Sequence, residues 1–425
     1  MGTMTTLPDG YRTIEIGEDR QEEFQAVDRL AFAWPPDPDV DAEVPFTVPF
    51  DRAMAVEGPG GRLAAVHGSY PFTLPVPGGV VPCAGLTWVG VRPDERRRGL
   101  LTSMIATHVE RSLARREPVS ALFAAEQGIY GRFGYGCAAD AVRLTLPRRA
   151  ALRPVPGSDA LTVELATADA DLHEDLVDRL HVAAGAGRPG WVARTTPALR
   201  RRILVDPPQW RAGGEPMQLA TVRGSGGGPR AFALLRRTSR WTEAGPEFPV
   251  DVLAAVALDA PATHRLWSFL LDLDLTSTVS TPKLALDDPL LSLLVDQRPG
   301  RPRLEDNLWV RLLDLPAALA GRRYLSPLDT VLEVTDALVP ANAGRWRLRS
   351  HSPDDQGTWA LAVERTDQDA QLRVDVRELG AAYLGGRSLA GLVTAGLVEE
   401  RTPGAGARAA AAFGWPVAPL CSWTF

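Results

Sequence analysis

The chain has 425 residues, which exceeds one ordinary hydrophobic core and indicates two or three domains of about 150 residues each. Hydrophobic residues make up 45% of the chain and charged residues 23%, as in soluble globular proteins. The net charge of −6 argues against general nucleic-acid binding, which requires a basic face, and it suits a cationic substrate.

Three further features narrow the class of protein. The three cysteines are widely spaced and support neither a disulfide framework nor a zinc site. The six histidines form no metal-ligand pair with an acidic partner, so we expect no bound metal. The N-terminus lacks the apolar core of a secretion signal, and no run of about 18 apolar residues predicts a membrane span. The sequence therefore predicts a cytoplasmic protein.

The first part of the chain predicts a mixed α/β unit. Residues 13–16 predict a strand and residues 18–32 a helix, which we expect the proline-rich stretch from Pro35 to end. The next predicted elements are strands at 61–76 and 80–91, a helix at 100–116, and strands at 119–126 and 141–147.

A proline- and turn-rich stretch at 148–160 places the first domain boundary, and the pattern changes again near Leu304. The predicted domains are therefore 1–150, 151–300 and 301–425. The segment at 169–184 begins a second α/β unit, whose predicted elements are strands at 219–223, 230–239 and 250–258 and a helix at 262–274.

The turn between the predicted strand at 80–91 and the helix at 100–116 is strongly cationic. A helix N-terminus offers free backbone N–H groups and partial positive charge to a phosphate. Arg96, Arg97 and Arg98 add forked donors, and Gly99 removes the Cβ that would keep a phosphate from the backbone. The pattern predicts a pyrophosphate site; the alternative is a solvated basic turn.

The second domain provides an internal comparison. Its corresponding strand leads into Asp259, Ala260 and Pro261 instead of arginines and glycine. We therefore expect this domain to keep the architecture without binding a cofactor.

The stretch VGVRPDERRRGLL resembles the acetyl-CoA turn of the GNAT N-acetyltransferases, and EQGIYGRFGYG from Glu126 to Gly136 resembles the Eis (enhanced intracellular survival) family. The resemblance covers the whole chain. It implies an α/β (α+β) architecture in which two GNAT-like mixed-sheet domains are followed by a C-terminal sterol-carrier-like domain. It also implies a homohexamer that transfers acetyl from acetyl-CoA to amines, notably those of aminoglycoside antibiotics.

The resemblance implies roles for individual residues. Tyr130 matches the family's general acid, with a half-buried core tyrosine as the alternative, while Tyr135 is interpreted as structural. The base would be the terminal carboxylate of Phe425, in a tail that is unusually apolar. The backbone of Val89 would bind the acetyl carbonyl, and Val91 would hold the pantetheine arm. The predicted cofactor residues are Val89, Val91, Arg96, Arg97, Arg98, Gly99, Leu100 and Leu101.

The family also builds part of its acceptor pocket on the first helix. Helical spacing puts Phe24, Asp28 and Phe32 on one face, although both phenylalanines would equally suit a hydrophobic core. The predicted acceptor residues are Phe24, Asp28, Phe32, Trp34, Trp88 and Glu126, the last with a structural alternative. Ala125 departs from the family's serine, and we expect a modest loss of cofactor affinity there.

Two functions remain open on the sequence. The first is acetylation of a primary amine in an aminoglycoside or similar cationic polyamine, which would connect the protein with antibiotic resistance. The alternative is a non-catalytic protein that senses acetyl-CoA or carries an apolar ligand in its third domain. Tyr130 and the aromatic C-terminus favour the first.

Overall fold

The structure of the protein is a computed structural model that describes residues 7–425. Residues 1–6, part of the N-terminal stretch in which no secretion signal is predicted, lie outside the described residues. Strands and helices are numbered in chain order below.

The described residues form 22 β-strands. They are β1 (Arg12–Glu15), β2 (Ala53–Glu57), β3 (Leu63–Val76), β4 (Gly79–Val91), β5 (Val119–Leu122), β6 (Gly136–Cys137), β7 (Asp140–Arg143), β8 (Thr145–Pro147), β9 (Thr162–Thr167), β10 (Gln218–Arg223), β11 (Pro229–Arg237), β12 (Trp241–Thr242), β13 (Gly245–Pro246), β14 (Phe248–Ala257), β15 (Thr276–Ser280), β16 (Arg303–Asp306), β17 (Trp309–Leu312), β18 (Asp329–Thr335), β19 (Gly344–Pro353), β20 (Trp359–Arg365), β21 (Leu372–Asp375) and β22 (Val398–Glu400).

The described residues also form twelve α-helices. They are α1 (Gln21–Phe32), α2 (Pro38–Glu43), α3 (Leu100–Ala114), α4 (Gln127–Tyr130), α5 (Ala170–Ala184), α6 (Pro197–Arg202), α7 (Ala260–Leu271), α8 (Pro289–Leu293), α9 (Leu315–Ala320), α10 (Val376–Ala382), α11 (Leu389–Thr394) and α12 (Ala405–Phe413).

Three mixed sheets organise the chain, which confirms the predicted α/β class. The first has seven strands in the order β1-β2-β3-β4-β5-β17-β6, the second has six in the order β8-β15-β14-β11-β10-β9, and the third has five in the order β20-β19-β18-β21-β22. Two small antiparallel pairs, β12-β13 and β16-β7, complete the pairing within the described residues.

The first two sheets exchange strands near the predicted domain limits. Strand β8 precedes residue 150 but pairs with β15 in the second sheet, and β17 follows residue 300 but lies between β5 and β6 in the first. On β17, the fully buried Arg311 donates to Asp336 at 2.9 and 3.0 Å. Backbone pairing and a buried ion pair therefore tie the three units together. The domain limits themselves stay a prediction.

The first helix ends before the prolines that were expected to end it. Helix α1 ends at Phe32, and Ala33 caps it in the left-handed region with φ 57°. The stretch beyond Pro35 is not wholly irregular, because Pro38 begins the short helix α2 and the Asp37 carboxylate accepts from the first-turn N–H groups. This short helix was missed in the sequence, since its six residues carry no hydrophobic repeat.

Residues 7–425 offer neither a membrane-spanning helix nor a three-residue metal cluster. No helix there is both long and apolar enough to cross a membrane. No group of three histidine, cysteine, aspartate or glutamate side chains there is arranged to hold a metal ion.

Candidate active site

The site begins where two parallel strands separate. Strand β4 pairs with β5 only from Cys83↔Val119 to Gly85↔Ala121, although β4 continues to Val91. Beyond Gly85 the pairing of the two strands ends and leaves a gap in the sheet, the first gap. Backbone groups along this part of β4 are available to a ligand instead of to a neighbouring strand.

A β-bulge interrupts the pairing of β4 with β3 beside this gap. Between the pairs Val66↔Gly90 and Gly68↔Thr87, two residues of β4 oppose the single residue His67 of β3. One of the two is Trp88, whose φ of 54° is a strained value for a bulky side chain. The other is Val89, the predicted acetyl-binding residue. Bulges of this kind commonly re-aim side chains beside active sites.

The cationic turn leads from this strand into α3 as predicted. Gly99 is the N-cap residue, with φ 81° and ψ 0°, a conformation that favours glycine. No side chain caps the helix, so the N–H groups of its first turn remain open to a ligand. Arg96 and Arg97 are exposed on the same turn. Free donors and two arginines together suit an anionic ligand.

An open cleft of about 1150 Å³ lies along the turn and the first gap. Seven of the eight predicted cofactor residues line it, namely Val89, Val91, Arg96, Arg97, Gly99, Leu100 and Leu101. Tyr130 lines it as well, together with Phe32 and Glu126, which were predicted for the acceptor side. The turn and the proposed acid therefore share one cavity.

Arg98 differs from the other arginines of the turn. Its side chain does not line the cleft; Arg98 Nε lies 3.1 Å from Glu95 Oε2. Glu95 is buried and also accepts from Tyr11 at 2.6 Å and from Arg62 at 3.0 Å. In this conformation Arg98 stabilises the turn through Glu95, and its contact with a phosphate stays a prediction.

Tyr130 is the tyrosine whose hydroxyl remains free. The other five tyrosines each place the hydroxyl in a hydrogen bond within residues 7–425, as Tyr135 does with Ser120 at 2.8 Å. Tyr130 makes none there, although its ring is buried and packs edge-on against Tyr135 at 5.9 Å. Burial raises the pKa of Tyr130 to about 12, so the phenol keeps its proton at neutral pH.

The C-terminal aromatic ring is docked in the first domain. Phe425 is half-buried among Phe72, Phe123 and Tyr70, with ring centroids 4.8, 5.2 and 6.3 Å away. A Cβ added to Gly85 would lie 3.3 Å from the Phe425 ring. Phe425 therefore sits at the residue where β4 and β5 part.

Tyr130 and Phe425 approach this point from opposite faces of the sheet. Side chains alternate along a strand, and Gly85 faces Phe425. The next residue, Leu86, belongs to the same buried cluster as Tyr130. A group bound in the first gap would thus have the phenol of Tyr130 on one side and Phe425 on the other.

A second cavity of about 460 Å³ lies beside the end of α1 and contains Asp28. The side chain of Asp28 is only slightly exposed, and burial raises its pKa to about 6, against the opposing effect of Arg29 and Arg202. Near neutral pH this carboxylate is largely ionised, so it suits an ammonium group.

The predicted aromatic residues divide between the two cavities and the core. Trp34 and Trp88 line the second cavity, and Phe32, which stacks on Trp34 at 5.3 Å, lines the cleft. Phe24 is fully buried and lines neither; it packs behind Trp88 and Phe46 at 5.9 Å from each ring. Phe24 therefore lies in the hydrophobic core, which was one of the two alternatives that its helical spacing allowed.

Several lining residues were missed in the sequence. Arg132 lines the cleft, and its guanidinium lies 4.9 Å from the Phe133 ring. Phe46, Arg202 and Trp210 line the second cavity. Arg132 was visible as a cation two residues after Tyr130, but the other three come from separate segments with no shared repeat.

Comparison with known families agrees with this three-part organisation. A model of the acetyltransferase (GNAT) domain matches residues 12–138, and a second such model matches residues 190–312. A sterol carrier protein domain model matches residues 315–422.

Individual proteins match over most of the chain. An uncharacterized N-acetyltransferase of Streptomyces coelicolor is 40% identical over 374 residues, 87% of this chain and 88% of that protein. The N-acetyltransferase Eis of Mycobacterium tuberculosis is 33% identical, with 83% and 84% covered. The crystal structure of Eis1 from Mycobacterium abscessus is 30% identical, covers 98% of this chain and 100% of its own, and superposes with a TM-score of 0.78. The chain therefore belongs to the Eis family of GNAT N-acetyltransferases.

Proposed function

We propose that the protein transfers an acetyl group from acetyl-CoA directly to a primary amine of an aminoglycoside or similar cationic polyamine. The observation that carries the proposal is the first gap, with the free hydroxyl of Tyr130 on one face of the sheet and Phe425 on the other. Direct transfer needs a base for the amine proton and an acid for the leaving sulfur, and this arrangement supports assigning those roles to Phe425 and Tyr130.

The cleft fits the anionic part of acetyl-CoA. The uncapped N-terminus of α3 and the side chains of Arg96 and Arg97 would hold the diphosphate. Val91 would align the pantetheine arm along β4, and the backbone of Val89 would hydrogen-bond the thioester carbonyl oxygen. One such oxyanion donor typically lowers the barrier by about 3–4 kcal/mol.

The proposed step balances around the thioester carbon. The amine nitrogen forms a bond to that carbon, and the carbon–sulfur bond breaks. The Phe425 carboxylate accepts the proton lost by nitrogen, while Tyr130 donates its proton to the leaving sulfur and recovers one from solvent. Positioned acids and bases of this kind contribute about 10²–10⁴-fold in rate.

The second cavity would bind the acceptor. Asp28 supplies a buried carboxylate for a second ammonium group, while Trp34 and Trp88 supply flat apolar walls. Glu126 lines the neighbouring cleft.

We further propose that the protein is a homohexamer that acts in the cytoplasm. Sedimentation of the purified chain would test the oligomeric state.

A thiol-release assay tests this function. Purified protein, acetyl-CoA and a panel of aminoglycosides and polyamines should release coenzyme A, and mass spectrometry should show a gain of one or more acetyl groups on the amine. Tight acetyl-CoA binding without release by any amine would support the non-catalytic alternative.

The base is tested separately. One added C-terminal residue moves the carboxylate away from Phe425, so turnover should fall at least 10-fold while the melting temperature stays unchanged. Equal turnover with and without the added residue would remove Phe425 from the mechanism.

A further inference from the structure

The second domain repeats the strand separation of the first. Strand β14 pairs in parallel with β15 only as far as Asp251↔Ser280, yet β14 continues to Ala257 and leads into α7. The space beyond this last pair is called the second gap. Its position relative to the neighbouring strand and helix corresponds to that of the first gap.

The second gap is unsuited to an anion. The Asp259 carboxylate accepts from Ala262 N–H at 2.9 Å and so caps α7 itself, and it also pairs with Arg230. A carboxylate at the helix N-terminus repels phosphate and uses the donors a phosphate would need.

Part of this chain occupies the second gap. Leu420, from the C-terminal segment, is almost fully buried and shares a hydrophobic cluster with Trp191, with Val256 on β14 and with Ala285 after β15. The cavity remaining there is about 270 Å³, compared with about 1150 Å³ at the first gap. The C-terminal segment thus lies where the first domain presents its open cleft.

Residues 181–194 of the second domain hold this segment along its length. Leu420 N–H donates to the Pro189 carbonyl at 3.0 Å. Ser422 Oγ lies 2.7 Å from His181 Nε2, and Trp423 Nε1 donates to the Val192 carbonyl oxygen at 2.7 Å. The buried guanidinium of Arg194 lies 5.2 Å from the Trp423 ring. Leu420, Ser422 and Trp423 are therefore held by the last turn of α5 and the loop that follows it.

The segment is also fixed from its other side. Cys421 N–H donates to Asn307 Oδ1 at 2.7 Å, and Asn307 Nδ2 donates to the Cys421 carbonyl at 3.0 Å. Both groups are buried, where lost hydrogen bonds cost most. Two residues of extended chain span at most about 7 Å, so fixing Trp423 leaves Phe425 little freedom.

We propose that the second domain, in place of binding a cofactor, acts as a clamp on residues 420–423 and so positions Phe425 at the first gap. His181, Ser422 and Trp423 are positioning residues in this clamp. Their effect on turnover rests on the proposed function of the Phe425 carboxylate, while the clamp itself rests on the contacts described.

The test uses the full chain with Ser422→Ala and Trp423→Phe combined, which removes two side-chain hydrogen bonds and keeps an aromatic ring. Amide hydrogen exchange over residues 420–425 should accelerate at least 10-fold. The kcat should fall about 10-fold or more, while the KM for acetyl-CoA stays within twofold because the cleft is untouched. Ser422→Thr, which keeps the hydroxyl, should retain most of the kcat.

Trp346→Phe is the matched control. Trp346 Nε1 donates to the Asn342 carbonyl at 2.8 Å in the third domain, so this variant also loses a buried indole hydrogen bond. Its kcat and its exchange over 420–425 should match those of the unmodified protein. An equal fall in kcat in this control would indicate general destabilisation and overturn the proposal.

A double-mutant cycle separates positioning from other effects. Adding one C-terminal residue should reduce the kcat of the clamp variant much less than that of the unmodified protein, because both changes misplace one carboxylate. Unchanged exchange in the clamp variant, or fully additive losses of kcat, would refute the clamp or its positioning role. If the unmodified protein turned over no amine, the proposed function would fail, and faster exchange would still establish the clamp.

Discussion

In the first domain, β4 runs beyond its pairing with β5 and leads through Arg96 and Arg97 into the uncapped helix α3. In the second domain, β14 runs beyond its pairing with β15 and leads through Asp259 into a self-capped α7. The backbone arrangement is repeated, but the residues of the turn differ in charge. The comparison shows that the same strand separation accompanies an open, cationic turn in one domain and, in the other, an acidic turn whose space is partly filled by Leu420.

The largest expected effect comes from the acid, which the second domain lacks altogether, since residues 136–323 contain no tyrosine. Tyr130→Phe should lower kcat about 100- to 1000-fold because it removes the proton donated to sulfur. The melting temperature should not change, since this hydroxyl makes no hydrogen bond within residues 7–425. Steady-state kinetics and differential scanning fluorimetry measure the two effects.

Tyr135→Phe is the control for that variant. Its hydroxyl bonds Ser120, which also contacts His108 Nε2 at 2.8 Å, so the loss should lower stability by about 1 kcal/mol. The kcat should fall far less than in Tyr130→Phe. The reverse ranking of the two variants would assign the acid to Tyr135.

The next effect concerns the cationic turn. Arg96→Ala combined with Arg97→Ala should weaken coenzyme A binding about 10- to 100-fold by calorimetry, because two charge-assisted contacts are lost. Arg230→Ala, which removes the β11 cation paired with Asp259 of the corresponding turn, should leave this affinity unchanged. Equal affinity in the double variant would place the diphosphate elsewhere.

A smaller, pH-dependent effect is expected at Asp28. Its folded-state pKa, about 6, lies above the ordinary aspartate value of 3.8, so the folded state binds the proton more tightly than the unfolded state. This group's contribution to stability is therefore greatest below pH 4 and is lost as the pH rises through 6.

Asp28→Asn should remove this dependence. Urea unfolding should find the variant more stable at pH 7.5, by about 3 kcal/mol at most, and the difference should vanish near pH 4. The KM for a polyamine should rise at least 5-fold in the variant at pH 7.5. An unchanged KM would exclude Asp28 from acceptor binding.

Local signals in the sequence were sufficient for much of the fold and for the position of the arginine turn. Apolar periodicity located α1, α3 and α7, and the arginine turn with Gly99 indicated the helix N-terminus that the structure presents. These features depend on residues adjacent in the chain, so a short window contains all the necessary information.

Contacts between distant segments were not predictable in the same way. The insertion of β17 beside β5, the clamp on Trp423 and the contribution of Trp210 to the second cavity each join residues from different units. Spacing along one segment carries no information about such partners. The same reasoning explains why Phe24 could not be assigned to core or pocket until Phe46 and Trp88 were seen to cover it.

The smallest expected effect tests whether the turn of the second domain has a purely structural role. Asp259→Ala removes the cap on α7 and the partner of Arg230, which should lower the free energy of unfolding by about 1 kcal/mol. Coenzyme A affinity and stoichiometry should stay unchanged by calorimetry, because Leu420 and Trp191 still occupy the second gap. A second coenzyme A bound per chain would show that the turn's charge alone, and not the clamped C-terminal segment, keeps the cofactor out of the second domain.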